Sequence, residues 1–210
     1  LFDALERREV YATTGPRITL RFFAGWEYTG EELNDPDFAA QGYASGVPMG
    51  GELRTSCEHT GKVSILVKAT KDPLGANLDR IQIVKGWMDH GESREKVFNA
   101  AVSGVDRVHE DGHILDVGNT NDVETATYEN TIGSTELGAL WIDAEFDPKQ
   151  QAFYYARVLE IPTPRWTTYD AAEFKIPPPN NVPTTLQQRV YSSPIWYEPS
   201  QNQPKSECGG

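Results

Sequence analysis

Hydrophobic and polar residues alternate along several stretches of the chain, and a period of two is typical of β-strands. The clearest stretch is 152–161, where both alternating sets are largely apolar. These sets are Ala152, Tyr154, Ala156 and Val158 on one side and Phe153, Tyr155, Leu159 and Ile161 on the other. Two apolar faces predict a central strand that is covered above and below. Pro162 and Pro164 end this strand because proline has no amide proton to donate to a neighbouring strand.

The same alternation predicts further strands over 10–13, 18–23, 62–70, 78–87 and 189–197. A strand is also predicted over 125–131, a hairpin over 105–117, and either a strand or a helix over 96–102. Residues 136–146 contain Leu and Ala and favour a short helical turn. Residues 27–51 are acidic and glycine-rich, which predicts a long excursion anchored by Val47 and Met49. We therefore predict a mainly β fold, a two-sheet β-sandwich of immunoglobulin-like or related topology, with a short N-terminal helix over 1–8 and few other helical turns.

Length and charge restrict the partners. A chain of 210 residues can form one sizeable core. Its 31 acidic and 19 basic residues give a net charge of −12, which disfavours nucleic acid and anionic membranes as partners. Membrane insertion is not expected, because no apolar run approaches the roughly 20 residues that a spanning helix needs. The cysteines Cys57 and Cys208 are too few for a disulfide framework and do not decide the compartment.

The sequence also supports predictions about the two ends of the chain. Leu1 stands where the middle of a helix is predicted, with no methionine before it, so we expect a fragment or a processed piece. Residues 200–210 are polar and are predicted to form a flexible tail.

Candidate metal and catalytic groups are weak. His109 and His113 would share a helical face, but the Asp-Gly between them favours a hairpin tip, with cross-strand metal binding as the alternative. Four acidic residues over 136–147 lack the fixed spacing of a calcium loop and favour a solvated edge. The sequence contains neither a Gly-x-Ser-x-Gly serine motif nor a Gly-x-x-x-x-Gly-Lys phosphate loop. We therefore predict no catalytic and no metal-binding residues in this chain.

Two loops are candidate substrate-binding segments. Residues 13–17, with Thr14 and Arg17, combine small side chains with a cation that could hold an anionic group; a tight turn with a surface arginine is the alternative. Arg165 and Trp166 follow the rigid corner at Pro164 and could stack at a cleft; an arginine that shields a packed corner is the alternative.

Several long phrases of the chain carry a resemblance to a known family. They are FDALERREVYATTGPRITLRFF, GVPMGG, LDRIQIVKGW, ATYENTIGSTELGALW, AFYYARVLEIPTPRWTTYDA and SSPIWY. In this order they resemble the closing portion, residues 1 to about 199 here, of the bacterial family called domain of unknown function 3604. The phrase ALERREVYATTGP is also similar to the junction between barrel and β-sandwich in carbaryl-hydrolase-like metallohydrolases.

The resemblance implies a place in a larger protein. Members of the family are longer, and their front part looks like a metal-dependent hydrolase of the polymerase and histidinol phosphatase type. Residues 1–15 would then finish the upstream barrel, and 16–199 would form an accessory β-sandwich that shapes the active-site mouth without being catalytic alone. The partner would be the upstream hydrolase domain of the same chain, which would hold a divalent metal, while this part holds no cofactor. The substrate would be an ester or a phosphoester.

Two alternatives stay open. The first is a module that binds carbohydrate or protein through exposed aromatic residues, namely Trp26, Tyr28, Trp87 and Trp166. The second is a domain for oligomerisation. The sequence does not give the oligomeric state.

Overall fold

The computed structural model describes residues 1–54, 61–110 and 112–199. Within these ranges strands dominate, and the predicted mainly β fold is confirmed. The features predicted at Cys57, Asp111, Cys208 and the tail over 200–210 lie outside the described residues.

The strands and helices have the following bounds. The strands are β1 (Tyr11–Thr13), β2 (Thr19–Gly25), β3 (Gly46–Pro48), β4 (Glu52–Arg54), β5 (Ser64–Thr70), β6 (Leu78–Asp89), β7 (Glu92–Val102), β8 (Glu136–Ile142), β9 (Ala152–Glu160), β10 (Thr163–Pro164), β11 (Thr185–Leu186), β12 (Arg189–Ser192) and β13 (Ile195–Glu198). The α-helices are α1 (Phe2–Glu6), α2 (Phe38–Ser45) and α3 (Trp166–Phe174), and short 3-10 turns cover Glu31–Asn34 and Val105–Arg107. None of the helices in the described ranges has the length and apolar character needed to cross a membrane.

The described strands form two main sheets. In the large sheet β9 is central, with β6 on one side and β12 and β13 in succession on the other. β7 pairs with the free edge of β6, β1 pairs with β12, and β4 runs parallel to β13. The small sheet has the antiparallel order β3-β2-β5-β8. β10 and β11 form a separate two-stranded ribbon beyond the end of β9.

The core lies between the two sheets, as the alternation predicts. Leu20 and Phe22 of β2 and Ile65 and Val67 of β5 meet the inner set of β9, and all are buried in one apolar cluster. The burial of this apolar area is the main force that holds the sheets together.

The outer face of β9 differs from the prediction. Its outward residues Phe153 and Tyr155 are only half-buried, so the prediction that both faces of this strand are covered is wrong. Their rings lie nearly parallel, with centroids 6.4 Å apart. These aromatic residues therefore shield one another on the sheet surface instead of packing under a third layer.

The excursion over 27–51 covers the outer face of the small sheet. It contains α2, and Phe38 of this helix packs with Phe23, Tyr28 and Leu66 in a second apolar cluster. Leu66 lies on the outer face of β5, where the alternation predicts polar residues, and it is buried because it belongs to this cluster. The anchor predicted at Val47 and Met49 packs against the main core.

Two local predictions are wrong, and one helix was not predicted. Residues 136–142 form β8 and not a helical turn, because β5 pairs with this segment residue by residue along its whole length. Residues 125–131 form turns instead of a strand, and 166–174 form a helix that the sequence pattern did not predict. The hairpin predicted over 105–117 is present in a short form, with an antiparallel bridge between Val108 and Ile114 and a hydrogen bond from the Leu115 N–H to the Arg107 carbonyl at 2.9 Å.

Candidate functional site

Loops from distant parts of the sequence meet at one end of the sandwich. β1 and β9 end there, and β2, β6 and β12 begin there, as the pairing registers show. We call this end, formed by residues 14–18, 71–77, 118–135 and 161–188, the loop end. Both predicted substrate-binding segments belong to it.

The 184–189 segment connects the two predicted segments. The backbone N–H of Arg189 donates to the Thr14 hydroxyl at 2.9 Å, and that hydroxyl donates to the Gln188 side chain. At the other end of the segment, the Thr184 carbonyl accepts a hydrogen bond from the Arg165 backbone N–H at 2.9 Å. The Thr14 side chain is thus engaged in holding the loop end together.

Arg17 is exposed, and its backbone rather than its guanidinium makes the local contact. Its N–H donates to the Asp72 carboxylate at 2.7 Å, and the Leu74 N–H donates to the same group at 3.0 Å. These two backbone hydrogen bonds, and then the charges of Arg17 and Lys71, hold the pKa of Asp72 below its usual range. The Arg17 guanidinium therefore stands at the loop end beside a carboxylate that is ionised at neutral pH.

Arg165 and Trp166 begin α3 directly after the proline corner. Arg165 occupies the N-cap position, and its Nε is buried without a hydrogen-bond partner in the described part of the chain. Trp166 is 65% exposed. The cations that lie over aromatic rings in the described residues are Lys68, Lys85 and Lys96, so the predicted stacking of Arg165 on Trp166 is not among these contacts.

Glu160 directly precedes the 161–188 part of the loop end, and the sequence analysis missed it. It is the last residue of β9 and is only 2% exposed, and its Oε1 has no hydrogen-bond partner among the described residues. Burial, followed by the negative charge of Asp72, raises the pKa of Glu160 to about 7, although Lys71 acts in the opposite direction. This carboxyl can exist in both protonation states near neutral pH, as a general acid or base requires.

Two tyrosines accompany this carboxyl. Burial, then Tyr169, Glu160 and Asp72, raise the pKa of Tyr128, and burial raises the pKa of Tyr169. Of these groups only Glu160 carries a signal in the sequence, because it occupies an inward position of the alternating strand, where a carboxylate is unusual. Asp72 and Tyr128 come from two separate loops and Tyr169 from α3, and no local pattern marks them.

A second polar group supports the loop end. Asp79 is fully buried and accepts hydrogen bonds from Arg80 Nε at 2.9 Å, Arg107 Nη2 at 2.7 Å and Gln187 Nε2 at 3.0 Å. The Gln187 amide also donates to the Glu160 carbonyl at 2.9 Å. This network fixes the loop that follows β7 against the segment that precedes β12.

Metal ligands do not assemble in the part of the chain that the structure describes. No group of three or more His, Cys, Asp or Glu residues there is arranged to hold a metal ion. His109 and His113 flank a tight turn, with the His109 N–H donating to the His113 carbonyl at 2.9 Å and ring centroids 6.2 Å apart.

The aromatic residues predicted to be exposed are mostly covered. Tyr28 is only 5% exposed, and Trp26 and Trp87 pack against the main core. For these three residues the predicted exposure is wrong, because Tyr28 packs in the second apolar cluster and the two tryptophans pack against the main core. Trp166 alone of the four presents most of its side chain to solvent.

Comparison with known proteins gives one match. No curated protein and no solved structure matches the chain. The model of a protein family of unknown function, DUF3604, matches residues 1–199 and confirms the resemblance to this family. The loop end described above thus lies within the matched region, and the chain belongs to the DUF3604 family of proteins of unknown function.

Proposed function

We propose that this chain is the C-terminal accessory β-domain of a metal-dependent hydrolase of the ester or phosphoester class. In this proposal an upstream domain of the same parent chain carries the divalent metal and the chemistry. The loop end shapes the mouth of that active site, binds the substrate and excludes water. Residues 1–15 connect the two parts.

The observation that carries the proposal is the exposed apolar face of α1. None of its residues is buried, and Leu1, Phe2 and Leu5 are 98%, 76% and 55% exposed. The segment after the helix is nevertheless fixed, because Arg8 forms an ion pair with Glu52 at 3.4 Å and β1 pairs with β12. An apolar face presented by an anchored segment is typical of a surface that packs against another folded body.

The path of the chain from this face supports a role at the active-site mouth. β1 runs from α1 toward the loop end, where Thr14 and Arg17 follow it directly. A body packed on α1 would therefore lie along the sheet edge that leads to these residues. There the exposed guanidinium of Arg17 is suited to an anionic substrate group, and Glu160 is suited to proton transfer.

The described residues do not fit a metal centre of their own. The proposal therefore assigns no metal-dependent step to them. Their part is to bind the substrate, orient it and hold a proton at the Glu160 carboxyl.

The test uses the longer protein that contains this sequence, with Arg17→Ala measured against a panel of phosphate, sulfate and carbamate esters. A hydrogen bond to a charged group is worth about 1.5–3 kcal/mol, so we expect kcat/KM for anionic esters to fall by about 10- to 150-fold. Neutral esters should be affected much less.

The matched control is Arg94→Ala. Arg94 is also an exposed arginine, with a side chain that is 52% exposed, but it lies in β7 at the opposite end of the sandwich. Equal values of kcat/KM for the wild type and Arg17→Ala would contradict the substrate-binding role. Metal-dependent ester hydrolysis by the 210-residue chain alone would contradict the accessory role.

A further inference from the structure

A groove on the outer face of the large sheet lies at the end opposite the loop end. It has a volume of about 390 Å³ and is formed by residues of β6, β7, β9 and β13. This volume falls within the range of small-molecule sites, about 300–1,000 Å³.

Aromatic rings form the floor of the groove. A Cβ atom at Gly86 would lie 2.3 Å from Phe153 Cζ, so the Phe153 ring covers the backbone where other residues carry a side chain. The Trp196 indole lies beside this ring, with centroids 5.3 Å apart and planes inclined by 51°. Trp196 is 41% exposed and lines the groove, so part of its indole can contact a ligand.

Two carboxylates flank this floor. Glu95 is the cross-strand partner of Gly86, and Glu198 lies two residues beyond Trp196, so both point to the outer face. Both are exposed, and neither takes part in an ion pair of the described residues. The nearby Arg94, in contrast, is held by Glu92 at 2.7 Å. Arg54, the cross-strand partner of Glu198, is likewise held by Glu52 at 2.9 Å. The groove therefore combines an aromatic floor with two exposed carboxylates that form no ion pair among the described residues.

We propose that this groove binds a small organic cation, a quaternary ammonium group of the choline type. A ring face attracts a cation through its quadrupole, and the attraction is strongest for tryptophan. The methyl groups of the ammonium would contact the apolar floor while Glu95 and Glu198 supply charge complementarity. The chain's net charge of −12 also attracts a cation over a longer range. This site is independent of the function proposed for the loop end.

The test is an NMR titration of the 210-residue chain with choline, monitored at the indole N–H of Trp196. We expect a saturable shift of this resonance that weakens as the salt concentration rises. The control ligand is 3,3-dimethylbutan-1-ol, which has the shape of choline with carbon in place of the nitrogen and therefore no charge. We expect it to bind roughly tenfold or more weakly.

Two variants locate the site. Trp196→Ala should abolish the binding of choline, whereas Trp166→Ala, which removes an exposed indole at the loop end, should leave it unchanged. Glu198→Gln changes an exposed residue without loss of packing and should weaken choline binding while the neutral ligand is unaffected.

Three results would overturn the proposal. They are equal affinity for choline and its neutral analogue, an unshifted Trp196 resonance throughout the choline titration, and a saturable shift with glucose or cellobiose that choline does not reverse. The last result would identify a carbohydrate groove instead.

Discussion

The ion pair between Lys85 and Asp143 joins the two sheets inside the core, and its removal is a strong test of how the sandwich is held together. Lys85 belongs to β6 of the large sheet, and Asp143 directly follows β8 of the small sheet. Their side chains are only 5% and 1% exposed, with 2.5 Å between Nζ and Oδ2. The Asp143 carboxylate also accepts a hydrogen bond from the Tyr154 hydroxyl at 2.7 Å, and burial followed by this carboxylate raises the pKa of Tyr154.

Replacement of Asp143 by alanine leaves a buried ammonium without its counter-charge. The Glu145 carbonyl, 3.0 Å from Lys85 Nζ, then remains as a hydrogen-bond acceptor for it, and the Tyr154 hydroxyl loses its acceptor. Breaking a buried pair on one side costs about 3–5 kcal/mol. This is a large share of the roughly 5–15 kcal/mol that stabilises a typical domain. For a chain of this size we expect the melting temperature to fall by about 6–20 °C.

The assay is urea unfolding followed by circular dichroism, with wild type, Asp143→Ala, Asp143→Asn and the double variant Lys85→Met with Asp143→Leu. Asparagine keeps an oxygen acceptor for Tyr154 but removes the charge, so we expect it to be nearly as destabilising as alanine. The double variant removes both charges and should recover most of the lost stability, because a buried pair is often no better than an apolar pair of similar volume. The reasoning is refuted if Asp143→Ala costs less than about 1 kcal/mol, or if the double variant is as unstable as the single one.

Three further predictions concern the loop end. Burial raises the pKa of Glu160 from 4.5 to about 7, so the folded state keeps a proton that the unfolded state has already lost. Stability should therefore fall as the pH rises from about 4.5 to about 7, and Glu160→Gln should flatten this part of a plot of melting temperature against pH. Gly133→Ala should destabilise by more than about 1 kcal/mol in urea unfolding, because φ is +77° and the new Cβ would lie 2.7 Å from Ile161 Cγ2. Arg107→Ala removes a partner of the buried Asp79 and should accelerate amide hydrogen exchange over 103–118, while β5 exchanges at the wild-type rate.

The sequence predicts those parts of the fold in which a local pattern and the tertiary structure agree. The inner face of β9 and the inward residues of β2 and β5 follow from a period of two, because one face of each strand is buried in a single core. In β8 the local pattern and the tertiary structure disagree. Its leucine and alanine residues favour a helix, but seven consecutive pairs with β5 determine its conformation. The prediction that the outer face of β9 is covered is wrong for a different reason, since apolar composition does not reveal whether a further layer covers a strand.

The candidate site could be predicted only in part, for a related reason. Thr14, Arg17, Arg165 and Trp166 are marked by local chemistry near glycine and proline, whereas Asp72, Tyr128 and Tyr169 acquire meaning only from the order of the strands. Glu160 is identified by both the local sequence pattern and the order of the strands. It ends the alternating pattern of the central strand, and the turn at Asp72 lies against it, since a Cβ atom at Gly75 would be 2.9 Å from Asp72 Cβ and 3.3 Å from Glu160 Oε1.

The distribution of buried charge along the sandwich separates its two ends physically. Near the far end, Lys85 and Asp143 compensate each other, and Tyr154 completes their hydrogen bonds, so this group contributes rigidity. At the loop end, Glu160 is buried beside the ionised Asp72 without a counter-ion of its own among the described residues. Such an arrangement is costly to stability, and uncompensated groups of this kind are concentrated at functional sites. β9 links both groups, because Tyr154, which donates to the paired Asp143, lies near one end of this central strand and Glu160 lies at the other.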